Sequence, residues 1–148
     1  MNTADRKKRA ENVEKTLAVL EECLVTEQFY QLQNEIVEKY CQQFDEQEEN
    51  KFCYTDYFNE YVNRIEQFLL DKLSDRLPDF QLHRFMAEAA GIEPDSLEDF
   101  TDVLETLDSL IDFVSFKQIM LARKRAKKLD FDLTLATDFL TVKPVSKR

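Results

Sequence analysis

The chain holds one glycine, three prolines, one histidine and no tryptophan in 148 residues. Tight hairpin turns and bulges draw on glycine, so an extensive β architecture has almost no material here. Phosphate-cradling loops need several glycines to bring backbone N–H groups against phosphate, which excludes a P-loop, a kinase-type loop and a dinucleotide fingerprint. The lone His83 has no His or Glu at ligating spacing on its own helix. A di-iron carboxylate bundle needs Glu-x-x-His twice, and one histidine cannot supply it.

Cysteine is also sparse. Cys23, Cys41 and Cys53 are odd in number, lack a C-x-x-C pair and sit in apolar surroundings, which suits buried reduced thiols. The stretch DFDLTLATD at 130–138 has the first acids of a calcium loop but neither the turn glycine nor the closing glutamate. No serine or cysteine has a second residue that nominates it as an activated nucleophile. The sequence therefore predicts no catalytic residue, no metal and no cofactor, and a binding protein rather than an enzyme. No apolar run approaches the roughly 18 residues of a spanning helix, and MNTADRKKRAEN lacks a signal-type apolar segment, so the chain reads as intracellular with no direct membrane insertion.

What is abundant is helix-forming. Glu, Gln, Lys, Leu and Ala dominate, and the length suits one domain, so the fold class expected is all-α, a single compact bundle. The net charge of −10 conceals a division: Leu17 to Phe116 carries 24 acids against 6 bases, and the flanks carry 14 bases against 6 acids. An acidic body disfavours nucleic acid and suits a basic protein surface, or is simply a solvated face.

The stretch Asp45–Leu73 organises the rest. After the acidic DEQEEN, apolar residues fall at Tyr54, Phe58, Tyr61, Val62, Ile65, Phe68, Leu69 and Leu73, spacings that a helix stacks on one broad face. A face this wide suits a helix packed on two sides, or packed on one side and open to a partner on the other. Before it, Val13, Leu17, Leu20 and Leu24 mark a first helix, with residues 1–11 a charged N-terminal extension. Thr26 is the candidate cap of a second helix whose inner face carries Phe29, Leu32, Ile36, Val37, Tyr40 and Phe44.

Thr55 is the candidate cap of the third helix, which Pro78 stops near Leu77. Asp79 then caps a short fourth helix, closed by Gly91 in the left-handed conformation. S-L-E-D at 96–99 reads as a capping box for a fifth helix bearing Phe100, Val103, Leu104, Leu107, Leu110 and Ile111. Asp112 either continues that helix or caps a sixth. The sixth ends in ARKRAKKL, a basic run that suits a helix C-terminus or, alternatively, an anionic surface or nuclear-localisation role. Within 130–148, Phe131, Leu133 and Leu135 alternate, followed by Phe139, Leu140 and Val142, which predicts an extended tail draped over the bundle. The domain proper is thus 12–129.

Several stretches resemble one known family. EENKFCYTDYFNEYVNRIEQFLLDKL, continued by Arg76, Pro78 and Phe80, is similar to the BART family of binders of Arf-like small GTPases. So are DFVSFKQIML from Asp112 to Leu121 and the pattern of Phe29, Leu32, Gln33, Lys39 and Tyr40. The likeness runs in order from Val13 to Leu140. It implies a six-helix domain that is a non-enzymatic effector of GTP-loaded Arf-like two or three proteins, taking the GTPase's N-terminal amphipathic helix into an apolar groove and touching its switch regions. It implies groove residues Phe58, Val62, Ile65 and Leu69 on the third helix, Phe85 and Met86 on the fourth, and Leu104, Leu107 and Ile111 on the fifth. Glu60, Glu66 and Asp71 would form a polar rim. A monomer is expected, acting in the cytoplasm, at the cilium or centrosome, in the mitochondrial intermembrane space or in the nucleus. The alternative is a helical adaptor of the same fold that takes an amphipathic helix from a different protein. AAGIEPDSLEDF departs from the family pattern, and the tail is short and basic at its end.

Overall fold

A computed structural model describes residues 2–146. Among them are six α-helices and no strand: α1 (Thr3–Leu24), α2 (Glu27–Tyr40), α3 (Cys53–Leu73), α4 (Leu82–Ala90), α5 (Thr101–Asp108) and α6 (Phe113–Ser146). Short 3-10 turns at Cys41–Gln43 and Pro94–Phe100 extend α2 and precede α5. The all-α bundle expected from composition is the one observed.

The charged N-terminal extension is the solvent-exposed start of α1, which Asn2 caps by accepting the Asp5 N–H at 2.8 Å. Thr26 does two jobs at the first corner. Its hydroxyl accepts the Phe29 N–H at 3.1 Å and donates to the Cys23 carbonyl at 2.9 Å, so one side chain satisfies an end of each helix. Asp112 caps a separate sixth helix, its carboxylate accepting the Val114 and Ser115 N–H groups, both at 3.3 Å.

Other starts differ from the sequence pattern. Helix α3 begins at Cys53 rather than Thr55, without a side-chain cap, and it ends at Leu73. Helix α4 begins at Leu82, also without a side-chain cap, so Asp79 does not serve. The S-L-E-D segment is part of a 3-10 turn whose N-cap is Glu93. Gly91 closes α4 at φ −84°, ψ −1°, a right-handed conformation, and its N–H donates back to the Glu88 carbonyl at 3.1 Å.

The core is built on rings. Phe44 stacks on Tyr54 with centroids 4.2 Å apart, and Phe116 of α6 packs against Phe44, Phe58 and Tyr61 at 5.7, 5.2 and 4.9 Å. Each such ring pair adds about 0.5–1.5 kcal/mol beyond simple burial. Leu17, Leu20, Ile36, Ile65 and Leu107 close the same cluster and are fully buried. The wide apolar face of α3 is thus covered by α2 on one side and by α6 on another.

Helix α6 overturns two expectations. Residues 130–146 continue it as helix instead of an extended tail, and Leu129, Phe131, Leu133 and Leu135 are exposed rather than packed on the bundle. The alternation at 131, 133 and 135 hid two i,i+4 pairs, Leu129 with Leu133 and Phe131 with Leu135, and no second strand exists to favour the extended form. The expected packing of Phe139, Leu140 and Val142 lies outside the described side chains.

The basic run is not a helix terminus, because α6 passes through it. Instead it clasps α2 and the acidic loop. Arg123 donates to Asn34 and Glu38 at 2.6 and 2.9 Å, and Lys127 reaches the other Glu38 oxygen at 2.6 Å. Lys124 donates to the Phe44 carbonyl at 2.6 Å, and Arg125 to Glu46 at 2.9 Å. About two turns before Lys124, Lys117 holds the Gln47 carbonyl and the Asn50 side chain at 2.7 and 2.8 Å. The acidic body and the basic C-terminal flank are each other's counterions in part. The Lys127 ammonium, by its hydrogen bond, and then the Arg123 guanidinium hold the Glu38 carboxyl below its ordinary pKa.

Candidate partner-binding groove

Helix α4 is short and two-sided. Leu82, Phe85 and Ala89 point into the core, which leaves Met86, Ala87 and Ala90 on the outward side. The small alanines leave space where a larger side chain would close it. Facing them across a cleft of about 700 Å³ are Leu104, Glu105 and Asp108 of α5, with Ile92, Leu97 and Ile111 among the further walls. A second cleft of about 290 Å³ lies on the other side of α4, between Glu66, Leu69 and Leu70 of α3 and Phe80 and Leu82. His83 lines both clefts, so the two adjoin along the outer face of α4.

The residues named from the sequence divide into three groups. Met86, Leu104 and Ile111 are half-buried and line the larger cleft; Leu69, almost wholly buried, lines the smaller one with Glu66. Ile65, Leu107 and Phe85 are buried in the core, Phe85 against Phe80 with centroids 5.7 Å apart, and line neither cleft. Phe58 turns toward α6, 5.7 Å from the Phe113 ring, and the half-buried Val62 lines neither cleft.

The rim is similarly divided. Glu60 faces α2, where the Tyr40 hydroxyl donates to it at 2.7 Å and Lys39 lies 3.5 Å away. It stands 200° around the helix from Phe58 at 100° per residue, a separation the linear pattern did not weigh. Asp71 is exposed and accepts from Gln67 at 3.0 Å. Of the three, Glu66 lines the smaller cleft, and Glu60 and Asp71 line neither of the two.

Sequence reasoning missed Ala87, Ala90, Leu70, Glu105 and Asp108. The alanines carried a signal: small residues opposite the buried Leu82–Phe85–Ala89 stripe mark a helix face with room over it. Asp108 has a distinct electrostatic position. Burial, and then the neighbouring Asp112, push its carboxyl above the ordinary pKa. The cleft therefore combines apolar walls with an exposed acid at its edge.

No group of three or more His, Cys, Asp or Glu side chains among the described residues is arranged to hold a metal ion. Burial raises the pKa of the Cys23 and Cys41 thiols, the condition of inert thiols rather than nucleophiles. What the α3–α4–α5 surface can do is bury apolar side chains of a partner and meet a cation beside them.

A family model described as "The ARF-like 2 binding protein BART" matches residues 12–129. A chicken (Gallus gallus) protein named ADP-ribosylation factor-like protein 2-binding protein is 35% identical over 130 residues, covering 86% of this chain and 81% of its own. Proteins of the same name from Bos taurus and Danio rerio are 32% identical over 124 residues and 35% over 118, covering 82% and 80% of this chain and 74% and 68% of theirs.

Proposed function

Since this chain belongs to the BART family of ARF-like 2 binding proteins, we propose that it is a non-enzymatic effector of a GTP-loaded Arf-like small GTPase. In this reading the apolar groove along α4 receives the GTPase's N-terminal amphipathic helix, and the adjacent surface touches its switch regions. The observation that carries it is the cleft between α4 and α5, where half-buried Met86, Leu104 and Ile111 line open space beside small alanines. A groove of this kind suits an amphipathic helix with apolar anchors at three- and four-residue spacing.

Nucleotide state is read through helix availability. A GTPase helix that is free only in the GTP form orders itself on binding and buries its apolar side here, while the GDP form keeps that side covered. The groove needs no differential contact with the nucleotide itself.

The test is capture of purified Arf-like GTPase, loaded with GTP analogue or with GDP, by the immobilised full chain. Capture is expected from the GTP-loaded form alone, and Met86→Asp or Leu104→Asp should reduce it at least about tenfold by placing a carboxylate against the partner's apolar face. Both positions are half-buried, so the helical circular dichroism spectrum is expected to persist. Ile65→Asp is not informative, because Ile65 is fully buried and the substitution attacks the fold. Equal capture of both nucleotide forms rejects the effector reading. No capture of either, with a separate amphipathic helix still bound, favours an adaptor for another protein.

A further inference from the structure

The C-terminal part of α6 outruns the helices that cover its beginning. Every residue from Arg125 to Asp138 is exposed, including Leu129, Phe131, Leu133 and Leu135. Charge along this overhang is segregated: five bases lie between Arg123 and Lys128, then three acids and no base between Leu129 and Asp138.

At 100° per residue, Lys128, Phe131, Leu135 and Asp138 share one stripe with Met120 and Lys124, the side of α6 that faces the body. The four residues are spaced three, four and three apart, a series that reads the same in both directions. Laid antiparallel on a second copy of itself about an axis at Leu133, the stripe sets each Phe131 opposite a Leu135 and each Lys128 opposite an Asp138. Neither Lys128 nor Asp138 has an ion-pair partner among the described residues, whereas Arg123, Arg125 and Lys127 are already engaged within the chain. Beside the same stripe, a cleft of about 800 Å³ opens between α6 and the turn after α2, walled by Leu121, Lys124, Phe131 and Asp45 among others. It leaves room for the partner's helix to run on past the two-fold axis.

We propose that the α6 overhang is a self-association surface on which a second copy of this chain docks antiparallel, pairing Phe131 with Leu135 and Lys128 with Asp138. The pairing is isologous, so it closes at a dimer and does not propagate. It replaces the monomer expected from the sequence. An overlap of about three turns buries less than the ~1,200 Å² of a standard stable interface, so the dimer is weak and concentration-dependent. The surface lies apart from the α4 groove and does not rest on the proposed partner.

Sedimentation equilibrium of the full chain, from about 10 µM to about 1 mM, tests the proposal. A monomer–dimer equilibrium is expected. Leu135→Asp should abolish it with an unchanged circular dichroism spectrum, since Leu135 is exposed. Lys128→Asp and Asp138→Lys should each weaken the dimer several-fold by setting like charges together, and the double variant should restore it. A monomer throughout the range overturns the proposal. So does a dimer insensitive to Leu135→Asp, or a double variant no better than either single one.

Discussion

The Tyr61 and Ser109 hydroxyls meet at 2.8 Å inside the core, joining the middle of α3 to the end of α5. Ser109 is the one buried polar residue among those described, and its hydroxyl also donates to the Thr106 carbonyl. Gln33 of α2 donates to the Tyr61 oxygen at 3.1 Å, so the proton order runs from Gln33 through Tyr61 and Ser109 to a backbone carbonyl. Burial pushes the Tyr61 phenol up, opposed by its bonds to Ser109 and Gln33. Both hydroxyl protons thus have an acceptor.

Removing either hydroxyl strands a buried partner. Ser109→Ala and Tyr61→Phe should each lower unfolding free energy by about 1–3 kcal/mol. Urea denaturation of the single and double variants should give a non-additive cycle, with the double variant losing less than the sum. Strict additivity would mean that the two hydroxyls do not interact.

Lys124→Met should destabilise by about 1–3 kcal/mol, because it removes the donor held by the carbonyl of Phe44, whose side chain is wholly buried. Arg125→Met, which breaks an exposed pair with Glu46, should cost no more than about 0.5 kcal/mol. Thermal melts that rank the two variants the other way would refute this assignment of the clasp.

Acid should weaken the fold through carboxylates that are stabilised in the charged form. Glu35 is held low by its hydrogen bonds and charge attraction to Arg64, Glu38 chiefly by Lys127, and Asp45 chiefly by the Gln47 N–H. Their folded pKa values lie below the unfolded ones, so their contribution is present above the usual carboxylate range and is lost as pH falls through the folded values. Melting temperature should therefore decline below about pH 4.5, and Glu38→Gln should flatten part of that decline.

Asp108 has the opposite sign. Its folded pKa is raised by burial and by Asp112, and it sits at the negative end of α5. A raised carboxyl contributes stability below its unfolded pKa and loses it as pH rises through the folded value. Asp108→Asn should accordingly raise the melting temperature slightly at pH 7, the effect being small because the side chain is exposed, with the gain vanishing in acid.

Gly91 offers a stabilising change. Its φ is −84° and a Cβ there would meet only the Glu88 carbonyl oxygen, at 3.5 Å. Gly91→Ala should stabilise by about 0.4–1 kcal/mol by restricting the unfolded chain. Destabilisation on thermal unfolding would contradict the right-handed conformation.

Sequence reasoning succeeded where a local rule decides the outcome. Thr26 and Asp112 cap because a short oxygen-bearing side chain stands at the right offset from free amides, and Val13, Leu17 and Leu20 face inward because a 3.6-residue period leaves them no alternative. It failed where a neighbour decides. Ile65 and Val62 sit on the same broad face of α3, yet only Ile65 is sealed, a difference set by the packing of other helices. The resemblance implies a rim role for Glu60, whereas Tyr40, 20 residues away, holds it against α2. The basic run of α6 suits a helix end or an anionic surface in sequence because its counterions, Glu38 and Glu46, lie about 80 positions upstream.

That distance has a consequence for how the chain comes to be folded. As synthesis proceeds from the N-terminus, α2 and the ring pair of Phe44 and Tyr54 emerge long before Phe116 and Lys124, which complete their cover. Early contacts can form locally, but the cavity beside Phe44 stays unfilled until α6 has left the ribosome. A nascent chain stalled before α6 should thus expose aromatic surface to chaperones, and α6 is the element whose arrival closes the domain.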